Sequence, residues 1–161
     1  MSAPKAASPT TRAALQAAHE RYAMDDRQDF GDADRGLIAA IPGGAVREDD
    51  GHVSFDLGWF DFLGQDGDAA PDTVDASLWR QSQLIRKAGL YRVVDGLYQV
   101  RNNDIGTVTF IEGPDGVVVV DCSSSVAAAR QALGLLREHV TDKPVVAVIY
   151  THTHIDHYGG V

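Results

Sequence analysis

The stretch 143–161 reads KPVVAVIYTHTHIDHYGGV, and its first half decides the fold. Val145 to Ile149 is a continuous apolar run, mostly β-branched, which predicts a strand covered on both faces of a sheet. A second run of the same kind, Val117 to Val120, lies upstream in TVTFIEGPDGVVVVD, where a turn over 113–116 joins it to an earlier strand. Between the two runs, Ser123, Ser124 and Ser125 offer helix N-caps. Val126, Ala129, Leu133, Leu136 and Val140 then follow at spacings of three and four, one apolar helical stripe. Strand, helix, strand is a crossover unit, right-handed by the general rule, and it places the chain in the α/β class. Just before it, YRVVDGLYQVR reads as a hairpin turning at Asp95-Gly96.

The second half of the stretch carries the chemistry. His152, His154, Asp156 and His157 fall within six positions, just past the carboxyl end of the last predicted strand. Open α/β sheets hold their ligands at that edge. Residues two apart on an extended chain face the same way, so His152 and His154 are expected to converge on one metal. Asp156, where the chain leaves the strand, is expected to turn with His157 toward a second. Imidazoles and a carboxylate suit Zn²⁺. Two metals about 3.5–4 Å apart would share a hydroxide, lower its pKa and hold a leaving oxygen. Gly159 and Gly160 read as letting the backbone bend around the site.

A lone histidine is ordinarily structural or solvated, and His19, His52 and His139 are read so. Asp121 ends the preceding predicted strand and has two readings. It is a carboxylate that orients the histidine loop from outside the ligand set, or an Asp-Ser turn that caps the next helix. Cys122 reads as a small buried residue, since no base stands beside it. Trp59, Phe60, Phe62 and Trp79 read mainly as core, with an alkyl pocket as the alternative.

Upstream of Tyr91 the texture is polar and loop-rich. Residues 1–10 are expected to be disordered, and 11–24 form an Ala-rich helix. The Asp- and Gly-rich segment 25–50 carries a turn, IPGG, at 41–44. HVSFDL, 52–57, alternates as a strand does, and 64–72 is a loop. SLWRQSQLIRKAG, 77–89, predicts a helix with Leu78, Gln81, Ile85 and Ala88 on one side and Gly89 as its stop. This gives a mostly helical arm with a short hairpin or strand over 1–90, and the first part of a sheet domain over 91–161.

With 14 Lys and Arg against 23 Asp and Glu, the net charge is −9, and no basic patch surrounds the histidines. That field repels polyanions, so no nucleic acid partner is expected. An anionic small molecule needs a local positive centre such as a metal. The single cysteine excludes an internal disulfide. No run approaches the ~20 apolar residues of a membrane span, and no secretory signal is seen at the N-terminus, which reads as cytoplasmic as written.

THTHIDHYGG resembles the metal motif of the metallo-β-lactamase superfamily, and VVVVDCS resembles the strand ending in Asp that precedes it there. QDFGDADRGLIAAIP, APDTVDASLWRQSQLIRKAGLYRVVDGLYQVR, TFIEGPDGVVVVD and PVVAVIYTHTHIDHYGGV together resemble the N-terminal part of the zinc-dependent linear primary alkylsulfatases. The H-x-H-x-D-H pattern identifies only the superfamily; APDTVDASLWRQ and GLYQVR point to the alkylsulfatase branch. The resemblance implies a four-layer αββα sandwich, of which this chain would be the N-terminal portion preceded by the arm. It implies hydrolysis of primary alkyl sulfate esters, dodecyl sulfate among them, to alcohol and sulfate. It places His152 and His154 on one zinc and Asp156 and His157 on the other, two Zn²⁺ per complete site. A homodimeric parent protein is implied too, and a periplasmic or secreted one is compatible with the family.

The chain departs from the family at Asp104-Ile105-Gly106-Thr107-Val108-Thr109, where a Ser-Asn pair is usual, and at Cys122-Ser123, where Pro-Leu is usual. The family's further zinc ligands lie downstream of the motif, so each metal keeps two protein ligands here and should bind weakly. The alternatives are another hydrolase of the superfamily, such as a lactonase or thioesterase, or an inactive truncated fragment. The long arm argues against the former, and His154 argues against an iron oxidoreductase branch that carries Glu there.

Overall fold

The computed structural model describes residues 5–161. The first four positions of the segment expected to be disordered lie outside the described residues. In chain order the helices are α1 (Pro9–His19), α2 (Gln28–Asp34), α3 (Ala76–Ile85), α4 (Val126–His139) and the one-turn α5 (Ile155–Tyr158). The strands are β1 (Leu37–Ala39), β2 (Ala45–Arg47), β3 (Val53–Asp56), β4 (Gly89–Val94), β5 (Leu97–Arg101), β6 (Val108–Glu112), β7 (Val117–Val120) and β8 (Val145–Ile149). Short 3-10 segments occupy Pro42–Gly44 and Leu57–Leu63.

The chain clusters into two units, and the line does not fall at residue 90. Asp34–Phe60 joins Lys87–Val161 in one unit, and Asp61–Arg86 joins the described residues up to Ala33 in the other. The reason is β1, which the Asp- and Gly-rich segment hid: Leu37 and Ala39 pair with Tyr91 and Leu90 at the edge of the main sheet.

That sheet has the order β1-β4-β5-β6-β7-β8. Its neighbours are antiparallel except β7 and β8, which run parallel across the α4 crossover. The hairpin turn falls at Asp95-Gly96, with Gly96 at a φ of 77°. Leu90, Val100, Phe110, Val117 and Val119 form one core with Ala132, Leu135 and Leu136 of α4. The buried side of α4 is therefore rotated from the expected stripe. Val126 is half exposed, while Ala127, Ala128 and Ala132 face inward. Ala132 joins the core of the main sheet, while Ala127 and Ala128 pack with Val46 of β2 and Phe55 of β3.

β7 and β8 also depart from expectation. β7 alternates buried and half-buried residues, and β8 is exposed after the partly buried Val145, with Val146 at 58% and Ile149 at 51%. The main contacts of α4 are with β1, β2 and β4, so the helix does not shield β8 at the far edge.

In the other unit, α1 starts earlier than expected, capped by Ser8 with Pro9 in its first turn, and ends at His19. α3 is capped by Asp75 and stops at Ile85. Gly89 is not its stop but the first residue of β4, at a φ of 150°, where any Cβ would strike the Ala39 carbonyl. Leu78 and Ile85 face solvent, and the buried residue of α3 is Gln83. Its side-chain amide donates to the carbonyls of Leu63 (2.9 Å), Gln65 (2.8 Å) and Asp68 (3.3 Å) and accepts from Gly67 N–H (3.1 Å). Arg80 reaches α2, donating to both Asp29 oxygens at 2.7 Å over the Phe30 ring. Of the aromatic residues read as core, Trp59 and Phe62 are exposed.

Candidate metal centre

The parallel pairing sets the carboxyl ends of β7 and β8 side by side, and the two chains leaving them are stitched together. Asp121 N–H donates to Ile149 O, and Cys122 N–H donates to His157 O, both at 2.9 Å. Asp121 and Ser123 adopt left-handed backbone (φ 59° and 64°), an uncommon state for residues with a Cβ. After β8 the chain bends through 151–154, and His154 becomes the N-cap residue of α5. Asp156 and His157 thus sit in a helical turn rather than on extended chain.

Gly159 and Gly160 serve close approach rather than a bend. Gly159 has an ordinary helical φ of −64°. A Cβ on Gly160 would lie 2.5 Å from Ala129 Cβ and 2.6 Å from Ser125 O, and closer still to Cys122 O. Gly106 behaves likewise: a Cβ there would lie 2.7 Å from Asp156 O.

Within this fold the four motif side chains come together as two pairs. His152 Nε2 lies 3.0 Å from His154 Nδ1, and His157 Nε2 lies 3.0 Å from Asp156 Oδ2. The His152 and His157 rings are 3.9 Å apart between centroids. Two atoms ligating one tetrahedral zinc with bonds of about 2.0–2.1 Å stand about 3.3 Å apart, so each pair is close to the spacing of two ligands on one ion. The donor chemistry and spacing therefore fit a metal at each pair. Among the described residues, no three His, Cys, Asp or Glu side chains converge on one point.

Asp121 stands behind the pairs, largely buried. Its Oδ2 meets His157 Nδ1 at 2.8 Å, and its Oδ1 accepts the Thr151 N–H at 2.9 Å. The Thr151 hydroxyl lies 2.8 Å from Asp121 Oδ2 and 3.1 Å from Oδ1. Burial opposes the charge on Asp121, but these hydrogen bonds outweigh it and hold the carboxyl below its ordinary range. The bond to Asp121 raises the His157 pKa against desolvation, with Asp156 adding to the effect. The turn reading of Asp121 finds no place, because the cap on α4 is Ser125, whose hydroxyl accepts the Ala128 N–H at 3.2 Å.

Cys122 is buried, and burial with the Asp121 charge pushes its thiol pKa up, as for an inert thiol. His19, His52 and His139 are exposed and stand outside this cluster. Sequence reasoning gave no role to Thr151, whose only signal is a hydroxyl beside the first histidine. Asp104, singled out in the sequence only as a departure from the family pattern, has a structural role as well. It accepts from Ile105 N–H and Ser124 N–H, each at 2.6 Å, and so ties the 102–107 loop to the start of the crossover.

Residues 101–161 match the metallo-beta-lactamase superfamily. The chain is 46% identical over 157 residues to a linear primary-alkylsulfatase of Pseudomonas sp., covering 98% of this chain and 23% of that protein. It is 48% identical over 135 residues to an (R)-specific secondary-alkylsulfatase of Pseudomonas sp., covering 84% of this chain and 20% of that one. Among solved structures, it matches the stereoselective inverting sec-alkylsulfatase Pisa1 from Pseudomonas sp. with a TM-score of 0.85 and 44% identity, over 97% of this chain and 24% of that one. The chain thus spans about a quarter of the length of the relatives it matches.

Proposed function

From the match of residues 101–161 to the metallo-β-lactamase superfamily, a metal-dependent family, and the chain's likeness to alkylsulfatases, we propose that the protein containing these residues is a zinc-dependent alkylsulfatase. Its reaction is hydrolysis of sulfate esters of primary alkyl chains to alcohol and sulfate. His152 and His154 hold one zinc, and Asp156 and His157 hold the second. Asp121 fixes the His157 ring from behind, leaving Nε2 to face the metal. Bound there, the two ions supply an activated water and offset the charge of the ester and its departing oxygen. That local positive centre is what an anionic substrate needs against a net charge of −9. The preference for primary esters is supported by the 46% identity to the linear primary-alkylsulfatase, which runs over 98% of this chain. A homodimeric assembly belongs to the same proposal.

The observation that carries the reading is the meeting of four motif donors in two pairs at 3.0 Å, with a carboxylate already holding one of the imidazoles. The test is sulfate release by the longer protein from dodecyl sulfate and from a secondary alkyl sulfate, with zinc content measured on the same sample. The expected result is zinc-dependent release, faster from the primary ester, two zinc per chain, and loss of activity in Asp156→Ala. Lactone or thioester hydrolysis without sulfate release would overturn it.

A further inference from the structure

We propose that Thr151 is a positioning residue that couples Asp121 to His152, so that one carboxylate sets the tautomer of two imidazoles. The argument is a proton count. Ionised Asp121 only accepts hydrogen bonds, and the Thr151 hydroxyl has one proton to give. That hydroxyl lies 2.8 Å and 3.1 Å from the two Asp121 oxygens, so its proton goes to the carboxylate. Its oxygen can then only accept. His152 Nδ1 lies 3.1 Å from it and must be the donor, as His157 Nδ1 is toward Asp121 directly. In a histidine, the bond made by one ring nitrogen decides what the other offers. His152 therefore carries its proton on Nδ1 and turns an open Nε2 toward the pair site.

The consequence reaches His154. With His152 Nε2 an acceptor, the 3.0 Å contact requires His154 Nδ1 to be its donor in the metal-free protein. A metal taken between these two atoms needs both lone pairs. The Nδ1 proton of His154 then passes through solvent to its own Nε2, with no net change in protons. His152 is already set for the metal, and His154 alone has to change tautomer. This step rests on the metal reading above; the tautomer of His152 does not.

The experiment is long-range ¹H–¹⁵N correlation of the histidine rings in the metal-free protein, at a pH where His152 is neutral, followed by zinc titration. The wild type should show His152 as the Nδ1–H tautomer. Thr151→Val, nearly isosteric, should shift His152 toward the Nε2–H form that free imidazoles favour. His157 should keep its pattern, which also reports that the variant is folded. Thr151→Ser should restore the wild-type pattern, and Asp121→Asn should release both rings. Zinc affinity should fall about 10-fold or more in Thr151→Val, the usual cost of losing a group that orients a metal ligand, and recover in Thr151→Ser. An unchanged His152 tautomer in Thr151→Val would overturn the proposal, as would a failure of serine to restore it. A wild type with the expected tautomers that takes up no zinc would refute the metal reading while leaving the Thr151 relay standing.

Discussion

Replacing Gly160 by alanine should damage this fold more than a single methyl group suggests. The added carbon would sit 2.5 Å from Ala129 Cβ and 2.6 Å from Ser125 O, and nearer still to Cys122 O. Ordinary carbon contacts begin at about 3.5 Å, so the surrounding walls must part by about 1 Å. None of the three is the tip of a flexible side chain. They belong to the turn after β7 and the first turn of α4, and Cys122 is bonded back to His157 at 2.9 Å. Overpacking typically costs about 1–3 kcal/mol, and rigid walls put this case near the top of that range. For a domain of this size, each kcal/mol moves Tm by about 2–4 °C, so a fall of about 6–12 °C is expected. Gly134 is the control, because it lies in α4 with nothing within 4 Å of a built Cβ. Gly134→Ala should stabilise by about 0.5–1 kcal/mol through helix propensity alone. Thermal unfolding followed by far-UV circular dichroism compares the two. A Gly160→Ala protein melting within about 1 °C of wild type would refute the argument, and so would a Gly134→Ala protein that falls as far.

Gln83→Met keeps the volume but removes every hydrogen bond of the buried amide, and should cost at least about 2 kcal/mol in urea unfolding; a loss under about 0.5 kcal/mol would show that solvent satisfies those backbone groups. The hydrogen bond from Arg80 holds the Asp29 carboxyl below its ordinary range. Its folded pKa is thus depressed, so its contribution is present above the unfolded value of about 3.9 and is lost as pH falls through the folded one. The difference in urea midpoint between wild type and Asp29→Asn should therefore be larger at pH 5 than at pH 3, and a difference independent of pH would refute the assignment.

Much of the fold follows from pattern alone. The runs at 117–120 and 145–149, with a capped amphipathic segment between them, specify a parallel pair and its crossover, because covalent connectivity leaves few other ways to place them. Asp95-Gly96 specifies a hairpin through the backbone twist its turn requires. The four donors of THTHIDH come together for the same local reason: they are so close in sequence that the bend and single helical turn after β8 suffice to bring them into two pairs.

What lies far apart in sequence was decided by tertiary structure. β1 exists because Leu37 and Ala39 find an edge beside Leu90 and Tyr91, about fifty residues later, and nothing in the surrounding Asp- and Gly-rich stretch announces it. Gln83 is buried because loop carbonyls converge on it, although glutamine in a helix reads as surface. Gly160 must lack a side chain because Cys122 and Ala129 lie against it, not because its own backbone needs freedom. The two readings of Asp121 are equal in sequence. They separate only when the parallel register of β7 and β8 places its carboxylate within 2.8 Å of a histidine thirty-six residues away.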